Sequence, residues 1–415
     1  MNNTIKLAVA SALLAAASSA SAAGGIVAGD WTLDIGGVVN AYYTSTKTKT
    51  TNGSNGASVS NITTGLLPNY LSVSGKTRQN DLDVAFTISI QPGASTTHAG
   101  IQAANALDGA VAAAPGNQEN RQAFLTFGDA SWGSIKLGKD LGIFASDAIL
   151  NDMTLLGVGN GAGALAGNTT TTGRIGNGYI YADWKAQAAY TTPNFNGFSA
   201  TVGVTQAWNM QDAGQIKVTG AGTSDQRGGK EPAFEAKASY AFAADALNGK
   251  VWASGFSQQV NHIALTTVAN AATGAAATGY TNFNATAWDI GGNVNAAGFG
   301  LTAYYFEGKG VGSRLQLSGG ALADGTKVDS DGYYVQGTYT LPGVGTKLGV
   351  SYGESNIDGK TSATNSSSDM WTVGAYHPLT KHLNLVAEYS DEQKETAKVQ
   401  TGNAKTVSLG AILFF

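Results

Sequence analysis

The eleven residues Lys405–Phe415 read KTVSLGAILFF, with Val407, Leu409, Ala411, Leu413 and Phe415 alternating against Thr406, Ser408 and Gly410. A period of two is the signature of a strand with one apolar face. A soluble domain usually finishes in a polar, frayed tail. A strand that ends on an aromatic has a different physical logic. In lipid, an open sheet edge leaves backbone N–H and C=O groups without partners, so a spanning sheet must close its last strand on its first. The ending therefore predicts the closing strand of an outer-membrane β-barrel.

The opposite end agrees. Lys6 precedes an apolar run, Leu7 to Ala17, and then the small-residue stretch Ser18 to Gly24. This pattern reads as a secretory signal peptide over residues 1–22, cleaved after Ala20-Ser21-Ala22. Its apolar core is too short to span a bilayer. Residues 23–415 are then expected to form one barrel domain.

Composition removes several classes of function. The chain has no Cys, so a disulfide framework and a cysteine metal site are both excluded. Beyond the leader no run approaches the length of a spanning helix, although 43% of residues are hydrophobic. Any membrane span must be made of strands. The net charge is -4, and removal of Lys6 with the leader makes it -5. No basic footprint for nucleic acid is present.

Along the chain, alternating segments are joined by very short turns on one side and by long Gly, Ser, Thr, Asn and Ala loops on the other, the layout of a bacterial barrel. The clearest segment sets Leu82, Val84, Phe86, Ile88 and Ile90 toward lipid and Asp83, Ala85, Thr87 and Ser89 toward water. Similar sets are Leu348, Val350 and Tyr352, and Leu383, Leu385, Ala387 and Tyr389. Strands are expected to start near residues 30, 69, 81, 119, 132, 177, 197, 231, 249, 282, 298, 331, 345, 369, 382 and 403, sixteen in all. Alternation is poor at Gln122 to Phe127 and Val251 to Ser257, which leaves fourteen or eighteen open. Tyr and Trp near segment ends, among them Tyr42, Tyr43, Trp208, Tyr240, Trp252, Tyr304, Tyr305, Tyr352, Trp371 and Tyr376, are expected in the two interfacial girdles.

One loop, Asp140 to Gly176, is unlike the others. It opens with an apolar, helix-like stretch, DLGIFASDAILNDMTLLGVG, and Leu141, Phe144, Ile149 and Leu150 would be odd choices for a solvated external loop. Apolar loop residues need a surface to bury against, so this segment is expected to fold back onto the barrel wall and narrow the lumen.

These residues resemble the general porins of Gram-negative bacteria, a sixteen-stranded trimeric family. The most specific stretch is RQAFLTFGDASWGSIKLGKDLGIFASDAILNDM from Arg121, similar to the family's strand, turn, strand and constriction loop. GRIGNGYIY, AAYTTPNFNGFSATV and YHPLTKHLNLVAEYS look like further family strands in the right order. The resemblance implies an inward all-β barrel with a charged constriction: acids Asp147 and Asp152 on the loop, bases Arg121 and Arg174 on the opposite wall, and Arg78 and Lys136 as further bases. It also implies a homotrimer in the outer membrane, contacting lipid and lipopolysaccharide. Leu155, Leu156, Gly157, Val158 and Gly159 stand where enterobacterial members carry a Pro-Glu-Phe-Gly-Gly tip, which implies a weaker transverse field.

The function expected is a water-filled channel for passive diffusion of ions and small hydrophilic solutes, without cofactor or energy input. A substrate-selective channel for a sugar or small organic acid is the alternative. A sugar channel would need a run of stacking aromatics, and the lumen sets read as Thr, Ser, Gly and Asn with Tyr42 and Tyr334 isolated. Catalysis is not expected, because His98, His262, His377 and His382 accompany no nucleophile motif. Asp324 to Asp331 (DGTKVDSD) lacks the closing glutamate of a calcium loop.

Overall fold

The computed structural model describes residues 25–50, 55–94, 118–161, 170–208, 231–244, 246–266, 278–322 and 326–415. The expected leader, the segments 95–117 and 267–277, and the side chains of His98 and His262 lie outside the described residues.

The chain folds into one antiparallel sheet. Its first strands are β1 (Ile26–Ala28), β2 (Trp31–Thr50), β3 (Asn55–Thr63), β4 (Tyr70–Gln79), β5 (Leu82–Pro92) and β6 (Gln118–Asp129). Next come β7 (Gly133–Leu141), β8 (Trp184–Thr191), β9 (Phe198–Thr205), β10 (Ala233–Ala244), β11 (Leu247–Thr266) and β12 (Thr278–Ala296). The last are β13 (Phe299–Lys309), β14 (Asp329–Thr340), β15 (Lys347–Asp358), β16 (Ser366–Pro378), β17 (Leu383–Thr396) and β18 (Val399–Phe414).

Two positions in the wall are shared. β3 pairs with the distal half of β2, from Tyr42↔Thr63 to Lys49↔Asn55, while β4 pairs with its proximal half, from Val38↔Tyr70 to Thr32↔Lys76. On the other edge β18 runs from Phe414↔Val38 to Gly402↔Thr50, and β1 continues that line against residues 31–33. The result is a closed antiparallel barrel of sixteen strand positions. Closure reaches the last residue: Gly37 and Phe415 exchange backbone hydrogen bonds of 2.9 and 3.1 Å.

Observed strands begin within four residues of the expected positions, except that the strand expected near 177 starts at Trp184. The alternating run GYIY mimicked a strand, yet Tyr179 and Ile180 are buried against the barrel interior as part of the inward loop. Asn55–Thr63 is strand where the composition reads as loop. Its polar residues give little apolar alternation, the only signal by which sequence marks a lipid-facing strand.

The outer surface follows the pattern expected for contact with hydrocarbon. Leu409, Ile88 and Val350 are 54%, 57% and 55% exposed, while their inward neighbours Ser408, Ser89 and Ser351 are buried. Sheets in water hide such faces; here lipid is the solvent. Tight turns bound one end of the barrel. Asn80 and Asp81 (φ 48° and 61°) and Ala297 and Gly298 (φ 49° and 84°) both place two residues in the left-handed region, which suits the twist of a two-residue hairpin.

The girdle expectation requires outward-facing rings, and Tyr43, Tyr240, Tyr305, Tyr352 and Trp371 are exposed. It fails for Tyr42, Trp208, Trp252, Tyr304 and Tyr376, which are buried inside the barrel. The reason is that the interior holds a packed loop as well as water. Trp252 and Phe256 point inward from β11 at alternate positions, which is why that segment looked poorly alternating.

Candidate functional site

The connection from β7 to β8 folds into the barrel. It contains a short helix, α1 (Ser146–Leu150), entered through Ala145 in a left-handed conformation (φ 61°), and a 3-10 turn, Met153–Leu156. Phe144 and Ile149 are buried and Leu150 is half-buried, so the apolar face of the loop has found its surface on the barrel wall.

Two wall carboxylates clamp the loop backbone. Oε2 of Glu235, on β10, accepts from Ile143 N at 2.7 Å and Phe144 N at 2.8 Å. Its Oε1 accepts from Thr205 Oγ1 at 2.9 Å and faces the buried Lys185 ammonium. Some 15 residues further along the loop, Oε2 of Glu388, on β17, accepts from Val158 N at 2.7 Å and Gly159 N at 2.8 Å. Its Oε1 accepts from the Tyr376 hydroxyl at 2.6 Å. Burying a carboxylate is costly unless its oxygens are filled with hydrogen bonds, and both glutamates are filled by loop amides.

Between these clamps the loop follows the wall. Tyr334 donates to Ala148 O at 2.9 Å, Met153 N donates to Gln336 Oε1 at 2.6 Å, and the Tyr42 hydroxyl donates to Leu156 O at 2.7 Å. On either side of the second clamp, Leu66 N donates to Gly157 O at 2.9 Å and Asn160 Nδ2 to Glu392 Oε1 at 2.6 Å. Tyr179, Tyr334 and Tyr304 form a packed aromatic chain with centroid separations of 5.8 and 5.7 Å. Tyr334 and Tyr42, expected as isolated lumen residues, are in fact packing and hydrogen-bonding partners of the loop.

The expected constriction residues separate into two groups. Asp147 and Asp152 are on the inward loop, as the resemblance implies, and both are buried. Asp147 is ion-paired with Lys237 at 3.0 Å and with Lys250. Burial pushes its carboxyl upward, but the two ammonium groups outweigh that and hold it below the usual carboxylate range. Asp152 caps the 3-10 turn, its Oδ1 accepting from Thr154 N at 2.9 Å and its Oδ2 from the Tyr179 hydroxyl at 2.9 Å.

Arg174 requires a correction, since it stands on the loop's return and not on the opposite wall. Wholly buried, it donates to Met370 O at 2.7 Å and to Ser351, so it ties the loop to β15 and β16. Arg78 lies at the short-turn end, bridging Asp83 and Asp129 at 2.9 Å each, away from the loop. Lys136 projects from β7, half exposed, over the Phe124 ring at 4.8 Å and paired with Asp140. Phe124 thus faces inward, which accounts for the weak alternation of Gln122 to Phe127. Arg121 lies on β6 near the long-loop end, paired with Glu119 at 2.8 Å and 5.9 Å from the Trp184 ring.

Sequence reasoning missed Glu235, Glu388, Lys185, Lys237 and Lys250. Nothing local in the sequence marks the partner of Glu388, which is 230 residues away.

Two cavities flank the loop along the same four strands, β4–β7. An outer one of about 510 Å³ is bordered by Tyr70, Gln91, Glu119 and Arg121, with Ile149, Leu155 and Thr171 on its loop side. An inner one of about 850 Å³ is bordered by Lys76, Arg78, Asp83, Thr126 and Asp129. Ser72, Ser74, Thr87 and Phe124 stand between them and remain half exposed, whereas the inward residues of β14–β17 that meet the loop are buried. His377 accepts or donates at 2.8 Å to Thr346 beside a short turn, and no cluster of three metal-ligating side chains occurs among the described residues.

Among curated proteins the sequence finds no match. Among solved structures, the outer membrane channel DcaP of Acinetobacter baumannii is similar in fold, with a TM-score of 0.66 at 15% identity over 94% of this chain and 100% of that one. An anion-selective porin from Comamonas acidovorans gives 0.58 at 14% identity, covering 93% and 100%. Salmonella typhi OmpF gives 0.54 at 15% identity, covering 94% and 99%. The family model for Gram-negative porins matches residues 8–397. With its closed barrel, lipid-facing strands and lumen loop, the chain belongs to the Gram-negative porins and is a channel protein of the outer membrane.

Proposed function

We propose that the protein is a passive diffusion channel for ions and small hydrophilic solutes, acting as a homotrimer. The observation that carries this reading is the one-sided seating of the loop. Hydrogen bonds from the loop amides to Glu235 and to Glu388 hold it against the β10–β17 wall, so a half-exposed track remains along β4–β7 between the two cavities. Water and hydrated ions follow that track, and groups fixed on a rigid wall bias passage without any moving part. Lys136 and Arg121 are the proposed charged groups beside the path. Asp147, Asp152 and Arg174 act mainly by fixing the loop, because Asp147 is ion-paired and Asp152 and Arg174 are hydrogen-bonded to buried partners. Trimerisation has support in the trimer form solved for OmpT of Vibrio cholerae, a likeness of fold at 12% identity.

The test is single-channel conductance in a planar bilayer, with the reversal potential under a salt gradient. Ohmic steps arriving in threes, with Lys136→Gln moving selectivity toward cations, are the expected result. An absence of conductance in correctly folded protein would end the diffusion reading.

A further inference from the structure

We infer that the outer cavity is a binding site for organic carboxylates that carry an apolar or aromatic body, a loading site ahead of the narrow track. The inference deepens the channel reading and rests on it for its purpose, though not for its chemistry. Part of the cavity lining is cationic. Arg121 and Arg314 both border it, and Arg314, on the loop between β13 and β14, has no ion-pair partner among the described residues. Trp184, under the Arg121 guanidinium, adds a flat ring beside that charge. Apolar side chains share the lining, with Ile149, Leu150 and Leu155 from the inward loop and Leu67 and Leu315 from the segments between β3 and β4 and between β13 and β14.

This combination selects by chemistry. A guanidinium recognises a carboxylate through paired N–H donors, and a free one retains its full capacity to do so. A sugar finds hydrogen-bond partners in Gln91 and Thr171 but brings no charge to the guanidinium groups, so it forgoes the strongest contacts the cavity offers. An inorganic anion would meet the cations yet gain nothing from the apolar side chains. A small carboxylate with a ring satisfies both, and the volume of about 510 Å³ falls in the range of small-molecule sites. Two acids, Glu119 and Asp183, also border the cavity. Glu119 is engaged by Arg121, and burial pushes the Asp183 carboxyl up from its ordinary value.

The experiment uses the folded protein in detergent micelles with benzoate as probe, and acetate and benzyl alcohol as controls lacking the ring or the charge. Calorimetric titration should detect benzoate binding at least about tenfold tighter than either control. Arg314→Gln should weaken benzoate by about tenfold or more, the scale of a lost charge-assisted pair. Leu150→Asn should weaken benzoate and leave acetate unchanged. Benzoate that binds no tighter than acetate, or that is indifferent to Arg314→Gln, overturns the site. Bilayer conductance in potassium chloride, measured on the same preparations, separates the two readings. Conductance with flat calorimetry removes the site and keeps the channel, whereas binding without conductance does the reverse.

Discussion

Replacing Glu388 by Ala should release the loop from the β17 wall without opening the barrel. The carboxylate accepts from Val158 N, Gly159 N and the Tyr376 hydroxyl, all within 2.8 Å and all buried. Alanine leaves these donors without an acceptor, at about 1–3 kcal/mol each for a buried unsatisfied group. Allowing for partial rescue by water, the clamp loses roughly 3–6 kcal/mol. Exchange of the Val158 and Gly159 amides should then accelerate by about a hundredfold or more. Glu388→Gln is the informative control. Its carbonyl oxygen can take the two amide donors and its NH₂ can face the Tyr376 oxygen, so only charge assistance is lost, about 1 kcal/mol. Hydrogen exchange read by mass spectrometry over residues 153–161 is the assay, with open-channel current noise as a second readout. The reasoning fails if the alanine variant folds and its amides exchange as slowly as in the parent. It also fails if glutamine is as damaging as alanine, since that would make charge, not the count of hydrogen bonds, the source of anchoring.

Asp147 gives a pH dependence of definite sign: its folded carboxyl is held below the ordinary value of about 3.9, so its contribution is complete above that value and disappears as pH falls through the folded one. Current noise from the loop should stay flat down to about pH 4 and rise only below it, and Asp147→Asn should be noisy at every pH. Arg174→Ala removes the donors to Met370 O and Ser351, and exchange over residues 173–179 should rise while barrel formation, read by heat-modifiable gel mobility, is retained. Gly157→Ala would bring a Cβ to 2.2 Å from Glu388 Oε1, so it should reproduce the loop release of Glu388→Ala even though both clamp partners are present.

The barrel was legible because lipid imposes a strict local code. Each spanning strand must alternate, and Val407, Leu409 and Leu413 announce their direction whatever the rest of the chain does. That code falls silent beyond the bilayer, where Asn55–Thr63 pairs without it, and inside the lumen, where GYIY alternates without being a strand. The loop itself was legible from its misplaced apolar residues. Its anchoring was not, because a glutamate that will accept two distant amides looks the same as one that will face water. Arg174 shows the limit of positional resemblance: an arginine in the right place along the chain can turn its guanidinium into the wall and carry no charge to the passage.

The two clamps differ in what they require of the growing structure. Glu235 lies about 90 residues beyond the amides it holds, within a run of consecutive hairpins, so that grip can form while the sheet is still open. Glu388 lies about 230 residues beyond its amides, on β17, and the nearby contacts of Leu156 and Gly157 come from Tyr42 and Leu66, on the far side of the β18–β2 seam. That second grip has its full set of neighbours only when the first and last strands have met. Seating of the loop is therefore a two-stage event that is completed late in assembly, and a nascent barrel stalled before its seam zips up would carry the loop tethered at one end and hanging loose at the other.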